Sequence, residues 1–214
     1  MSDAAKATST LAQFLTNPGP EHLEAINRVI SYLYHTRFLA LTYRPRRSDD
    51  DEAVTLFSDA SFADNPDRKS SEGYICTIFG GPVDWRAGKQ RTVTTSTTEA
   101  ELLAISEAAR TMSMWKRLFE AIRFDPKHEL AIRCDNQQTI RLLIKEAPQL
   151  RTKLRHVDIH HHWLRQEVQA GRILIRWTET KNMAADGLTK LLPRQKHTEF
   201  IQLMGMEDIG NLLD

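Results

Sequence analysis

The stretch VTLFSDASFADNPDRKSSEGYICTIFGGPVDWRAGKQ, residues 54–90, decides how the rest of the chain is read. Runs rich in β-branched and aromatic residues occupy 54–58, 73–79 and 83–86, and turn chemistry separates them, DNPD at 64–67 and GGP at 80–82. Three such runs in succession predict a meander of antiparallel strands. Immediately downstream the period changes. Ala100, Leu103, Ala104, Ala108, Met112, Trp115, Leu118, Phe119 and Ile122 recur three or four apart, the stripe of a long helix. Ser96, with Glu99 three residues on, forms a capping box that sets its start near residue 97.

From there the chain alternates. Residues 129–134 read as a strand and 136–145 as a helix closed by Pro148. A basic helix spans 152–169 and stops at Gly171, residues 172–178 alternate like a strand, and the chain turns helical again from 184. Strands first, then strands alternating with helices, predict an α/β fold with a mixed sheet flanked by helices.

Upstream, residues 1–10 are small and polar and read as a loose tail, followed by the breaker run NPGP at 17–20. Leu23, Ile26, Val29, Ile30 and Leu33 give a helix over 20–34, with Glu21 and Glu24 in its dipole-favoured first turn. A short strand at 38–43 and the charged stretch PRRSDDDE at 45–52 follow, the latter suited to a linker. The division expected is a tail over 1–10, a small helical extension and linker over 11–50, a main domain over 51–207 and a tail over 208–214. Leu33 and Phe38 would be costly to leave in water, which favours docking of the extension on the domain.

At 214 residues, 41% hydrophobic and 27% charged, the chain has the composition of a folded domain rather than of a disordered one. No apolar run reaches the roughly 18 to 20 residues that cross a bilayer, and the N-terminus lacks a signal-peptide core, so no membrane partner is expected. Cys76 and Cys134 lie singly in apolar runs, as buried thiols of a reducing, intracellular compartment do. The net charge of +1 conceals a bias: 12 Lys/Arg against 5 Asp/Glu between residues 141 and 197, a segment suited to facing phosphates.

Four carboxylates have no obvious duty in folding. Asp59 ends the run TLFSD and Asp135 ends LAIRCD; as neighbouring strands, those two runs would release both acids at one edge. Glu101 lies one turn into the long helix, where Glu99 is already used by the cap. Asp186 opens the last helix. Two carboxylates about 5 Å apart repel by roughly 3 kcal/mol at an effective dielectric of 20, so such a cluster calls for a cation. Hard oxygen ligands suit Mg²⁺, and two such ions provide what phosphodiester hydrolysis needs: a nucleophilic water, charge stabilisation and help for the leaving oxygen. Each acid taken singly also reads as a turn or cap residue.

Six blocks carry a more specific signal: SDASFADNPDRKSSEGY (58–74), VDWRAGKQ (83–90), STTEAELLAISEA (96–108), CDNQQTI (134–140), RTKLRHVDIHHHWLRQE (151–167) and TETKNMAADGLTKLL (178–192). In this order they resemble the ribonuclease H domain of copia-type LTR retrotransposons. Residues 11 to about 45 resemble the end of the preceding reverse transcriptase. The resemblance implies a five-stranded mixed sheet with helices on both sides, and Asp59, Glu101, Asp135 and Asp186 as catalytic metal ligands. It further implies two Mg²⁺ ions, replaceable by Mn²⁺, and cutting of the RNA strand of an RNA/DNA hybrid to leave 5′-phosphates. The implied partners are the hybrid, the reverse transcriptase and other Pol segments, and the implied location is the cytoplasmic virus-like particle and the nucleus.

Two departures stand out. Ser61 replaces a second Asp that many copia-type sequences have. The segment TETKNMAAD lacks the loop histidine of cellular ribonucleases H, leaving Glu179, Lys181 or a histidine from elsewhere as stand-ins. A catalytically silent nucleic-acid or protein binding module is the competing expectation.

A hybrid close to A-form is read through backbone and shape. Candidate contacts are Arg68, Lys69, Lys89, Gln90, Arg91, Asn136, Lys153, Arg155 and Arg165. The histidines His156, His160, His161 and His162 mimic a zinc motif in HVDIH, but Val157 stands where the catalytic glutamate belongs. Trp85, Trp115, Trp163 and Trp177 read as core.

Overall fold

The computed structural model describes residues 2–43, 54–126, 130–144 and 155–212. Its centre is a five-stranded mixed sheet. The meander expected from 54–90 forms β2 (Val54–Ser61), β3 (Ser71–Ile78) and β4 (Gly81–Lys89), each antiparallel to the next. The later strands β5 (Leu130–Cys134) and β6 (Leu174–Trp177) run parallel to β2, giving the order β4-β3-β2-β5-β6. A further strand, β1 (Leu39–Leu41), lies outside this sheet.

Alternation along the strands builds two cores. On one side Leu56, Tyr74, Cys76 and Ile132 meet α3 (Thr97–Ala121) through Leu102, Ile105 and Met112, with Leu143 of α4 (Gln137–Ile144) and Val157 and Leu164 of α5 (Arg155–Gln169) closing the layer. On the other side Ile75 and Phe57 meet Leu188 of α6 (Asp186–Thr189), and Phe200 and Met204 at α7 (Arg194–Leu203) and its end. Burying a leucine or phenylalanine stabilises the fold by roughly 1.5–3 kcal/mol, so these layers set the sheet's position between helices. Among the described residues no helix is long and apolar enough to cross a membrane.

Three expectations are corrected. Residues 1–10 are not a loose tail: Ser2–Ala4 form a 3-10 turn with all three residues buried, and Ala5–Ala12 form helix α1, which packs on β4 and α6. Lys6 anchors it by donating 2.6 Å to Ser71 Oγ. Helix from 184 onward is in fact two helices, because Lys190 is extended and Pro193 fixes the chain as the N-cap of α7. The last residues also have a partner. Met206–Asp208 form β7, antiparallel to β1, and Phe38 O accepts from Ile209 N–H at 3.0 Å. The extension thus docks through β1 and through Tyr32, whose hydroxyl donates to Asp3, while no residue of α2 (Pro20–His35) is fully buried.

Candidate metal centre

The parallel register of β2 and β5 positions the first two acids. Phe57 pairs with Arg133, so two residues further along each strand Asp59 comes level with Asp135. Asp135 follows the end of β5, whereas Asp59 lies inside β2, which continues to Ser61 on its β3 side, so both stand where the β2–β5 pairing stops. Over that point lies the first turn of α3. Ser96 Oγ accepts from Glu99 N–H, while Glu99 itself accepts from Thr95 N–H, so Glu99 is consumed by the cap. Glu101, two residues on, is thereby free to face the strand ends. Carboxylate oxygens of Asp59, Glu101 and Asp135 lie within 4.8 Å of one another, and among the described residues this is the one group with metal-ligand spacing.

The electrostatics follow from that crowding. Burial, with the charges of Asp186 and Asp135 added, pushes Asp59 up to about 6 against the pull of Lys190 and the Thr189 hydroxyl. Burial and then the charges of Asp59 and Asp135 hold Glu101 well above the ordinary glutamate range. Asp135 is more open, and Thr180 Oγ1 donates to its Oδ2 at 2.9 Å. The Cys134 thiol, 3.9 Å from Glu101 Oε2, is pushed far up by burial and by Glu101, so it stays protonated beside the acids.

Asp186 stands slightly apart. Its carboxylate accepts from Lys190 Nζ, and the same ammonium lies 3.5 Å from Asp59 Oδ2, which also accepts from Thr189 Oγ1. Burial opposes the charge on Lys190, but Asp59 and Asp186 outweigh it and raise its pKa. Gly73 makes this packing possible. It faces Asp59 across the β2–β3 pair, and a Cβ there would stand 2.8 Å from Leu188 Cβ and 3.1 Å from Thr189 Cγ2. Lys190, Thr189, Thr180 and Gly73 were not legible as site residues; the i,i+4 spacing of Asp186 and Lys190 was the single local hint.

No model of a protein family matches the chain. Among curated proteins, the retrovirus-related Pol polyprotein from transposon TNT 1-94 of Nicotiana tabacum is 35% identical over 205 residues, 95% of this chain. The chain belongs to the Pol polyproteins of copia-type retrotransposons. It spans 15% of that polyprotein's length. A shorter match, secreted RxLR effector protein 161 of Plasmopara viticola, is 41% identical over half of this chain and 75% of its own. Among solved structures, LC11-RNase H1 in complex with RNA/DNA hybrid overlaps 63% of this chain and 92% of its own, at 14% identity and a TM-score of 0.46.

Around the centre, this Pol segment arranges the expected contact residues unequally. Arg68 and Arg91 are exposed; Lys69 and Lys89 are half-buried, and both ammonium groups approach Asp67 Oδ2. Gln90 is not a surface contact: only 2% exposed, it donates to Ala100 O and braces the start of α3. Asn136 Oδ1 accepts from Thr139 N–H as the cap of α4, and Arg165 is half-buried on α5. Lys153 lies outside the described residues, as does the Arg155 side chain. Of the histidines, His160 bonds Ser106 at 2.7 Å and His161 is buried near Leu142 O. Of the stand-ins for a loop histidine, Glu179 and Lys181 pair with each other at 2.6 Å. Trp177 is corrected: it is 47% exposed rather than in the core, because β6 is an edge strand, and its indole N–H donates to Asp135 O.

Proposed function

We propose that this chain is a divalent-metal-dependent ribonuclease H that cuts the RNA strand of RNA/DNA hybrids during reverse transcription of its retrotransposon. The observation that carries the reading is the meeting of Asp59, Glu101 and Asp135 within 4.8 Å, with Asp186 beside them, in a segment of a copia-type Pol polyprotein. The donors fit the ion. All are hard oxygens, and two are held in burial where Lys190 offsets only part of their cost, leaving both carboxyls raised above their ordinary ranges.

Divalent cations bound there supply Lewis acidity and charge stabilisation at a phosphodiester. Asp59, Glu101, Asp135 and Asp186 would hold them. Thr189 and Thr180 fix the rotamers of Asp59 and Asp135, and the protonated Cys134 keeps one face of Glu101 dry. Asp135, the open member, faces the substrate side together with Trp177. Arg68, in the turn between β2 and β3, and Arg91, just past the end of β4, are exposed at neighbouring strand ends and offer positive charge suited to a backbone. The products would carry 5′-phosphates, and the work would be done in the virus-like particle alongside the reverse transcriptase.

The test is cleavage of an end-labelled hybrid with Mg²⁺ or EDTA, using wild type and Asp135→Asn. Cutting with Mg²⁺ alone, lost by at least a hundredfold in the variant while hybrid binding persists, is the expected result. Full activity of the variant would overturn the metal assignment, and binding without cutting by the wild type would mark a silent binding module.

A further inference from the structure

The acid cluster already contains one cation of its own. Asp59, Glu101 and Asp135 gather oxygens within 4.8 Å of one another, and Asp59 and Asp186 are bridged by the ammonium of Lys190. That bridge lies on the side of Asp59 facing α6, where Thr189 also donates to the same Oδ2. Lys190 is bound to both acids but sits where it can leave. It follows the last residue of a four-residue helix, its own backbone is extended, and its side chain is 40% exposed, so rotation carries the ammonium into solvent. The ammonium stands between Asp59 Oδ2 and Asp186 Oδ1, so a divalent ion placed between the same two carboxylates would meet it at contact distance and be repelled by its charge.

We propose that Lys190 holds the place of a second divalent ion between Asp59 and Asp186, so that the centre loads in order. The first ion enters among Asp59, Glu101 and Asp135, and the second enters only when Lys190 withdraws. This rests on the metal-dependent reading above. A bound phosphodiester assists the exchange from both ends, since it offers the withdrawn ammonium an anionic partner and the entering ion further oxygens. Lys190 is therefore a positioning residue that couples the second ion to substrate, and it keeps Asp59 and Asp186 together when no metal is present.

The test is Mn²⁺ binding by the full chain, followed by calorimetry and electron paramagnetic resonance, for wild type, Lys190→Met, Lys190→Arg and Asp135→Asn. Wild type is expected to bind one ion well and a second weakly. Lys190→Met should tighten the second at least tenfold and leave the first within threefold, Lys190→Arg should behave as wild type, and Asp135→Asn should lose the first. A second affinity in Lys190→Met within twofold of wild type overturns the Lys190 assignment and leaves the metal centre standing. Absence of any Mn²⁺ binding by wild type overturns the metal reading itself. Should Lys190→Met not fold, the dimethyl-lysine signal of Lys190 in methylated wild type, assigned with Lys190→Arg, is followed through a Mg²⁺ titration. Movement with the second ion supports the proposal, and an unmoved signal at saturation refutes it.

Discussion

Replacing Asp59 by Asn should stabilise the metal-free protein at neutral pH and destabilise the metal-loaded one. Asp59 is buried, and its pKa is about 6 in the fold against an ordinary 3.8. A shift near two units corresponds to about 3 kcal/mol of destabilisation when the group is ionised. Most of that cost is the burial of the charge, and the neighbouring carboxylates of Asp186 and Asp135 add to it. Asn loses part of this gain, because Thr189 and Lys190 are left with a weaker acceptor. A net gain of about 1–2 kcal/mol, or about 3–6 °C in Tm for a chain of this size, is expected in EDTA at pH 8. Below pH 3.8 Asp59 is protonated in both folded and unfolded chains and contributes nothing. Between 3.8 and 6 the folded state holds the proton more tightly, so stability falls as pH rises, and above 6 the full cost is present. The advantage of the variant should therefore vanish near pH 4 and grow to a plateau by pH 7. In millimolar Mg²⁺ the order should reverse, since only wild type gains the free energy of metal binding. Paired thermal melts from pH 4 to 8, with and without metal, measure all of this. A variant no more stable than wild type in EDTA at pH 8, or an advantage independent of pH, would refute the argument that a buried, crowded Asp59 carboxylate is costly.

Two further substitutions probe the surroundings. Gly73→Ala forces Leu188 and Thr189 away from the sheet, at an overpacking cost of about 1–3 kcal/mol; urea unfolding should show that loss, and hybrid cleavage should fall more than tenfold under conditions where the variant remains folded. Trp177→Ala removes an exposed ring beside Asp135 suited to stacking on substrate; hybrid affinity measured by fluorescence anisotropy should weaken at least fivefold, with Trp177→Phe recovering most of it.

The parts of the fold legible in the sequence are those encoded by local period and capping. Residues 54–90 announced their meander because each strand is closed by its own turn, and α3 announced its start because Ser96 and Glu99 satisfy backbone donors that a helix always leaves open. That same cap removed Glu99 from the choice of ligand and left Glu101, which the structure brings to Asp59 and Asp135. The β1–β7 pair was not legible. Its register joins Leu39 to Asp208, and three-residue strands of unremarkable composition carry no sign of so distant a partner. The burial of residues 2–4 was hidden for a related reason: small polar residues look like a tail until a surface such as Met206 and His197 is built to receive them.

Lys190 shows where reading acids as a pattern falls short. A search for carboxylates finds the ligands but not the charge that keeps them together before a metal arrives, because that charge comes from a residue with no place in the ligand set. Crowded acids repel in the newly folded chain, when no ion need be present, and a lysine one turn from Asp186 offsets part of that repulsion. Such a lysine must be strong enough to hold the pair and weak enough to leave. A fully buried ion pair would be costly to break, while a fully exposed one would contribute little. At 40% exposure Lys190 lies between those limits, as a residue that both holds the acids together and yields them to a metal must.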